Sequence, residues 1–497
     1  MATQSVPQTE NPLLEGLELR RRPEPCVLTI FGASGDLTKR KLFPALYTLA
    51  FRELLPDRFA VLGVARRAMS SEDFVAAMEA AVREFSRDEF REEVWRWLAD
   101  RTRYLATELT DEKDQDELAD CLTRLDDDFG TSGNRAYYLA VPPEAMSKLV
   151  EVLGERRSTS GWTRLIVEKP FGHDLQSARE LNELLAHRFS EAEVFRIDHY
   201  LGKDTVQNLL ALRFANGVFE PVWNRRYVDH VQITVAESIG IGSRAAFYER
   251  AGAIRDVFQN HLLQLVALTA MEPPIDFTAD SVRNEKLKVL KALATPAPED
   301  VVRGQYGRGF VEGEEVPGYR EEEGVAPDSV TETFVAARLR VDNWRWAGTP
   351  FYVRTGKRLP RRETTIAIQF REVPHRLFED ASELRPNLLM VHVQPNEGVS
   401  FAIGAKVPGE GMKVRTVHMD FLYGGAFRTG LPEAYERLIL DALLGDTTLF
   451  TRADEIEEQW ALVDAIVARW PPGEAPPIYS AGTWGLEEAQ RLVAWHR

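Results

Sequence analysis

Val27-Leu28-Thr29-Ile30-Phe31-Gly32-Ala33-Ser34-Gly35-Asp36-Leu37-Thr38-Lys39-Arg40-Lys41-Leu42 decides the fold class. A short β-prone run ends directly in a glycine-containing turn, and a helix then runs through Leu42, Leu46 and Leu49. Strand, glycine turn and helix in that order suit a nucleotide pyrophosphate. Gly32 and Gly35 allow close backbone approach, and the amides that open the helix face an anion. The motif is G-x-x-G, with Leu37 in the place of the third glycine of the dinucleotide fingerprint, so taken alone it fits an ordinary strand-to-helix turn equally well.

The next β-prone run, residues 59–64, leads into Ala65-Arg66-Arg67. An arginine at the end of this strand accommodates a 2′-phosphate where an acidic residue would hold a ribose hydroxyl, which favours NADP over NAD and leaves dual use open; a pair of surface arginines is the plain alternative. Residues 71–125 read as mostly helical and acidic, with Trp95 and Trp97 as packing residues. Strands follow at 136–141, stopped by Pro142-Pro143, and at 164–167, which ends in Glu168-Lys169-Pro170-Phe171-Gly172. The proline holds Lys169 extended at a strand end, with a cis bond open to it, and marks this lysine for a ligand contact.

Arg196-Ile197-Asp198-His199-Tyr200-Leu201-Gly202-Lys203 packs a carboxylate, an imidazole, a phenol and an ammonium into eight residues. It lies between the apolar run 194–197 and helical spacing over 203–210, at the kind of corner where α/β proteins bind ligands. Gly202 lets the backbone turn and Lys203 lies beside free helix amides, which suits an anion such as phosphate. A solvated loop with a surface Asp–Lys pair is the alternative. Five strands thus end in Gly32, Arg66, Pro142, Lys169 and Asp198, and one site along a shared carboxyl edge accounts for all five. Residues 25–198 are expected to form a Rossmann-like, doubly wound dinucleotide-binding domain, preceded by a flexible tail over 1–24.

Beyond 199 the pattern changes to period two. Val231, Ile233 and Val235 alternate with polar residues, and alternation recurs over 331–341, 364–370, 388–393 and 413–421. This predicts a large α+β domain over 199–497 with a mainly antiparallel sheet backed by helices, for substrate binding and oligomerisation. Closing helices are expected at 432–444, 453–469 and 484–496, and a surface excursion at 303–323. Residues 252–265 read as a helix whose apolar stripe takes in His261. A core histidine is the usual explanation, but Asp256, Gln259, Asn260 and Gln264 are polar company for a plain seam.

The 497 residues carry 61 Lys and Arg against 77 Asp and Glu, a net charge of −16, which argues against nucleic acid or anionic membrane as a partner and requires a local basic pocket for any anionic substrate. Two cysteines, Cys26 and Cys121, make neither a disulfide framework nor a metal-ligand spacing, so structural zinc is not expected and a reducing cytoplasm is. Arg20–Arg22 lacks the apolar run of a signal peptide, and 262–271 falls short of a membrane span.

The glycine turn, Glu168-Lys169-Pro170-Phe171-Gly172, the octet, Ile254-Arg255-Asp256-Val257-Phe258-Gln259-Asn260-His261 and Arg354-Thr355-Gly356-Lys357 stand in an order similar to that of the glucose-6-phosphate dehydrogenase family, NADP-dependent and of bacterial type, and the resemblance covers nearly the whole chain. It implies oxidation of D-glucose 6-phosphate to 6-phospho-D-glucono-1,5-lactone, the first oxidative step of the pentose phosphate pathway, with His261 as general base oriented by Asp198. It implies phosphate binding by His199, Tyr200, Lys203 and Lys357, sugar hydroxyls on Glu237 and Asp256, and contact with sugar and cofactor for Lys169. Arg362 is implied for the substrate pocket or, with Arg354, for a second NADP site that some members carry. The implied cofactor residues are Gly32, Ser34, Gly35, Asp36, Leu37, Arg66 and Tyr138, with Asp36 better suited to bonding the loop backbone than to direct contact. NADP is the expected cofactor, with NAD secondary, no metal, and a homodimer or homotetramer.

Two other readings compete. Sugar oxidoreductases resembling glucose–fructose oxidoreductase and inositol dehydrogenase act on unphosphorylated polyols, for which His199, Tyr200, Lys203 and Lys357 would be superfluous. A cofactor-binding regulatory protein on the same fold would not need Asp198, Lys203 and His261.

Overall fold

Cys26–Phe31 forms a strand, β1, in which every residue is buried, as expected of a central strand covered on both faces. It shares a sheet with β2 (Phe59–Ala65), β3 (Thr102–Ala106), β4 (Arg135–Leu139), β5 (Thr163–Val167) and β6 (Val194–Arg196), in the spatial order β3-β2-β1-β4-β5-β6. β1 pairs in parallel with β2 and β4, and β2 with β3. The order reverses between β1 and β4, so the crevice of a doubly wound sheet opens beyond the carboxyl end of β1, where the glycine turn lies. Two features depart from expectation. β3 interrupts the stretch read as helical, between the helices Glu92–Asp100 and Glu112–Phe129. The helix after the glycine turn opens with a π-helical stretch, Thr38–Leu42, before continuing as the α-helix Phe43–Phe51.

The computed structural model describes residues 22–109, 111–158, 160–375, 377–378, 384–409, 411–423 and 433–494, so the expected tail over 1–24 lies almost wholly outside the described residues. The described residues pack as two units. The first holds those up to Ala140 together with Glu155–Ile166 and Ile439–Asp446; the second holds Val141–Gly154, Val167–Leu438 and the chain from Thr447 onward. The octet after β6 belongs to the second unit.

The second sheet is built from β7 (Val228–Ala236), β8 (Leu293–Ala294), β9 (Val301–Gly307), then, after the hairpin β10 (Gly309–Val311) and β11 (Glu314–Val316), from β12 (Phe334–Val341), β13 (Pro350–Gly356), β14 (Glu363–Phe370), β15 (Leu388–Gln394), β16 (Gly398–Lys406), β17 (Val414–Leu422) and β18 (Ile478–Ser480). Its order is β17-β16-β15-β14-β7-β13-β12-β9-β18, with β8 on β12. The pairs β7–β13 and β9–β18 are parallel and the rest antiparallel. Residues 303–323 are not a loose excursion: they finish β9, form the β10–β11 hairpin, and are anchored by Tyr306 and Tyr319, both buried with rings 5.6 Å apart.

The core beneath this sheet fixes the helix Leu263–Ala270, which continues from the stretch carrying His261. The carbonyls at a helix C-terminus have no partners within the helix and must be satisfied elsewhere. Here the buried guanidinium of Arg213 donates to Leu268 O (3.0 Å) and Met271 O (2.7 Å), and the buried indoles of Trp223 and Trp346 donate to Thr269 O and Ala270 O, each at 2.8 Å. Helices Ala434–Leu444, Ala453–Val467 and Glu487–Ala494 follow. Among the described residues no helix is long and apolar enough to cross a membrane.

Candidate active site

The site grows from the corner after β6, and all its residues named in this and the next two paragraphs lie in the second unit. Ile197 N–H still donates to Val167 O at 2.9 Å, in line with the sheet. One residue later the Asp198 carboxylate folds back on its own loop and accepts the Tyr200 amide at 2.9 Å, the local turn that aspartate favours. Helix Asp204–Phe214 starts directly afterwards. Asp198 is thereby held against His261, with Oδ1 at 2.5 Å from Nδ1.

His261 sits on Ile254–Leu262, which is a π-helix and not the plain α-helix expected over 252–265. In an α-helix two residues five apart would point about 140° away from each other, at 3.6 residues per turn, whereas the i→i+5 turn of a π-helix stacks them. His261 therefore lies over Asp256, and one ammonium spans both: Lys169 Nζ is 2.9 Å from Asp256 O, 3.4 Å from Asp256 Oδ1 and 3.0 Å from His261 Nε2. Lys169 comes from the strand end before Pro170, a cis peptide bond. An ammonium can only donate, so Nε2 must be the acceptor and Nδ1 the protonated nitrogen that donates to Asp198. His261 is thus held as the tautomer with its lone pair on Nε2. Burial pulls the imidazole below its ordinary value, opposed by Asp198, so it is neutral at physiological pH. Burial would raise the Asp198 carboxyl, but His261, His199 and the Tyr200 amide bring it down to about 2. Asp256 is likewise brought to about 2, against burial, by Lys169, Arg244 and Lys357. The ligand atoms of Asp198, His199 and His261 fall within 4.8 Å of one another, a grouping that could attract a cation. Both His261 nitrogens are already engaged, one by the Asp198 carboxylate and the other by an ammonium, so the grouping is built around a hydrogen-bonded pair and not as a set of open ligands.

The residues implied for phosphate cluster around the same corner. His199 and Tyr200 pack their rings on His261, each at 4.4 Å. Burial, His261 and Lys169 push His199 well below the ordinary range, so its ring stands neutral with an N–H to offer. Lys203 Nζ and Arg362 Nη2 converge on Gln394 Oε1 at 2.5 and 3.1 Å, and the Gln394 amide donates to Thr364 Oγ1 at 3.0 Å. Lys357 pairs with Glu237 at 2.7 Å. The Lys357 backbone is fixed by Thr333 O (3.0 Å) and by the buried Tyr479 hydroxyl of β18, which donates to Lys357 O at 2.6 Å. Sequence reasoning passed over Gln394 and Arg244. Gln394 had a usable signal: it is a polar residue ending a strand before Pro395, the pattern that singled out Lys169. Arg354, grouped with Arg362 in the sequence, instead stacks on Trp484 (4.6 Å) and lines a separate cavity of about 580 Å³ with Gln232, Thr234 and Tyr352.

In the first unit the glycine turn folds as a cradle. Gly32 has φ +81°, its amide and that of Ala33 reach Val64 O at 2.9 and 3.1 Å, and a Cβ on Gly35 would stand 3.0 Å from Gly32 O. Ser34 and Leu37 are half-buried along it, and Arg66 is exposed just past β2. Asp36 does not serve the loop backbone as expected; its carboxylate is exposed and pairs with Arg40 one turn on, at 2.9 Å. Tyr138 is fully buried within β4 opposite Ile30. The close backbone and the exposed arginine fit a dinucleotide whose pyrophosphate rests on main-chain amides.

A glycine cradle at the switch point of a doubly wound sheet and, in the other unit, a neutral imidazole held by a buried carboxylate define a dinucleotide-dependent oxidoreductase. Two family models cover most of the sequence, the NAD binding domain of glucose-6-phosphate dehydrogenase over residues 29–208 and its C-terminal domain over 210–497. The chain belongs to the glucose-6-phosphate dehydrogenase family. Glucose-6-phosphate 1-dehydrogenase 2 of Mycobacterium tuberculosis (strain ATCC 25618 / H37Rv) is 50% identical over 493 residues, 97% of this chain and 96% of the relative. A solved glucose-6-phosphate dehydrogenase in complex with its substrate glucose-6-phosphate matches with a TM-score of 0.89 and 38% identity, over 96% of this chain and 99% of that one. The Mycobacterium avium glucose-6-phosphate 1-dehydrogenase matches with a TM-score of 0.81 and 37% identity, over 95% and 97%.

Proposed function

We propose that the protein oxidises D-glucose 6-phosphate at C1 to 6-phospho-D-glucono-1,5-lactone with reduction of NADP+, the first oxidative step of the pentose phosphate pathway. The observation that carries this reading is the His261 lone pair, aimed from Nε2 at a donor and locked there by Asp198 on Nδ1. With sugar bound, the C1 hydroxyl takes over as the donor to Nε2. His261 accepts its proton as C1 becomes a carbonyl carbon, and Asp198 stabilises the imidazolium that forms. When bound, the nicotinamide ring supplies the acceptor for the hydride that leaves C1. Lys169 steadies the sugar oxygen and reaches the cofactor, and Glu237 and Asp256 accept hydrogen bonds from sugar hydroxyls. Lys203, Lys357, Arg362, His199 and Tyr200 hold the phosphate dianion, for which short-range charge outweighs the screened net charge of the chain.

Gly32, Ser34, Gly35, Asp36, Leu37 and Tyr138 serve the cofactor, and exposed Arg66 favours NADP over NAD by meeting the 2′-phosphate. The enzyme acts in the cytoplasm as a homodimer or homotetramer, and Met419, Phe421 and Leu422, which stand half-exposed on β17, support the oligomer. The test is nicotinamide reduction followed spectrophotometrically. Glucose 6-phosphate should support rapid reduction of NADP, unphosphorylated glucose should not, a chelator should change nothing, and Arg66→Ala should raise KM for NADP more than for NAD. Activity indifferent to the 6-phosphate would favour a polyol oxidoreductase, and tight cofactor binding without any reduction a regulatory protein.

A further inference from the structure

Glu332 lies outside the residues assigned so far, in the short lead into β12, and is 5% exposed. Its backbone carbonyl accepts the Ala253 amide at 2.9 Å, and its Oε1 accepts the Ile254 amide at 3.1 Å. Ile254 opens the π-helix that carries Asp256 and His261. Gly252, just before it, has φ +61° and ψ −176°, and a Cβ there would stand 2.1 Å from Glu332 Oε1. The carboxylate therefore fills the space that a side chain at 252 would need. The adjoining Thr333 carbonyl accepts the Lys357 amide at 3.0 Å, so the same few residues also fix the lysine paired with Glu237.

Helix starts are usually capped by an exposed serine, threonine or aspartate, which costs little. A buried carboxyl is expensive by comparison: burial pushes Glu332 up to about 6, against the Ile254 amide and the charges of Arg255 and Arg303. That expense is offset where an acceptor must be rigid. Building on the function proposed above, we propose that Glu332 is a positioning residue. By fixing the Ile254 amide it sets the first turn of the π-helix, and so the spacing at which Lys169 spans Asp256 and His261.

The test compares wild type with Glu332→Gln, which keeps an oxygen acceptor of the same reach, Glu332→Asp, which withdraws it by one methylene, and Glu332→Ala, which removes it. The Ala and Asp variants should lose at least about tenfold in kcat, because small misplacements of reacting groups are costly, with KM for NADP unchanged within about twofold. The Gln variant should stay within about threefold of wild type in kcat, a rescue that a general loss of stability would not give. If Ala does not fold, the contrast between Gln and Asp carries the decision. Folded Ala or Asp variants with wild-type kcat, or a Gln variant as slow as the others, would overturn the proposal while leaving the function intact. A wild type inactive on glucose 6-phosphate would instead overturn the function.

Discussion

The two ends of the candidate site follow opposite electrostatic plans. At the proton-taking end, ammonium, imidazole and two carboxylates are interleaved, and Asp198 and Asp256 are both drawn to about 2 in spite of burial. At the end proposed for the phosphate, Lys203 and Arg362 share the neutral amide oxygen of Gln394. A buried charge set stripped of one member leaves an unpaired charge, so the first end is built to keep its charges paired: Lys169 still has Asp256 when a sugar hydroxyl replaces it on His261 Nε2. An amide oxygen carries no net charge, so releasing it to meet a dianion leaves no bare charge at Gln394. Lys357, to which the proposed function gives a share of the phosphate, is paired with Glu237, so an arriving ligand must share it.

This contrast predicts which kinetic constant each end controls. The largest effect should come from His261→Asn, with kcat falling at least about 10²-fold and sugar phosphate affinity by calorimetry largely retained; near-wild-type turnover would remove His261 from the chemistry. Next, Lys203→Ala should raise KM for glucose 6-phosphate by roughly 10- to 100-fold, the loss of one charge-assisted hydrogen bond, with kcat little altered. If kcat moved as much as KM, the division between the ends would break down. Gln394→Leu should raise the same KM by only about fivefold, since it removes one neutral acceptor that arranges the cations.

The smallest expected effect, and the sharpest, is on pH. His261 is neutral in the structure because burial lowers its pKa, so the acid limb of kcat/KM should lie below pH 6.5, with activity lost as pH falls through it. Asp198 raises that pKa and Lys169 lowers it. Asp198→Asn should therefore shift the limb to lower pH, and Lys169→Met to higher pH, in whatever activity each variant retains. Limbs that coincide in all three proteins would mean that the titrating group is not His261. The limb belongs to the coupled Asp198–His261 pair rather than to either residue alone.

Much of this was legible in the sequence because it depends on residue types at chain corners. The glycine turn, Lys169 before its proline and the octet announced themselves, and six strands in doubly wound order bear out the first half of the fold reading. β3 escaped because Thr102 and Arg103 break any apolar run, and its place is decided by the free edge of β2. The 303–323 stretch looked like a loop because glycine and glutamate dominate it, whereas Tyr306 and Tyr319 set its structure by long-range packing. Periodicity placed His261 in the buried stripe, yet an α-helical period was the wrong one for 254–262: the wider winding is set by a partner on another element, Glu332 at its start. Glu332 was invisible for the same reason. Nothing in its own neighbours along the chain says what its carboxylate must hold.

The winding of Ile254–Leu262 also sets a rule about residue number. Asp256 and His261, five apart, share a face only while the wide turn persists, so residue count and winding in this segment must change together. An α-helix over the same residues would turn the imidazole about 140° away from Asp256, whereas loss of one residue together with that rewinding would bring the two back onto one face as an i,i+4 pair. When descendants or relatives of this chain are compared, a single gap between positions 256 and 261 would therefore mark a segment that has exchanged the wide turn for an ordinary α-helix while keeping carboxylate and imidazole together.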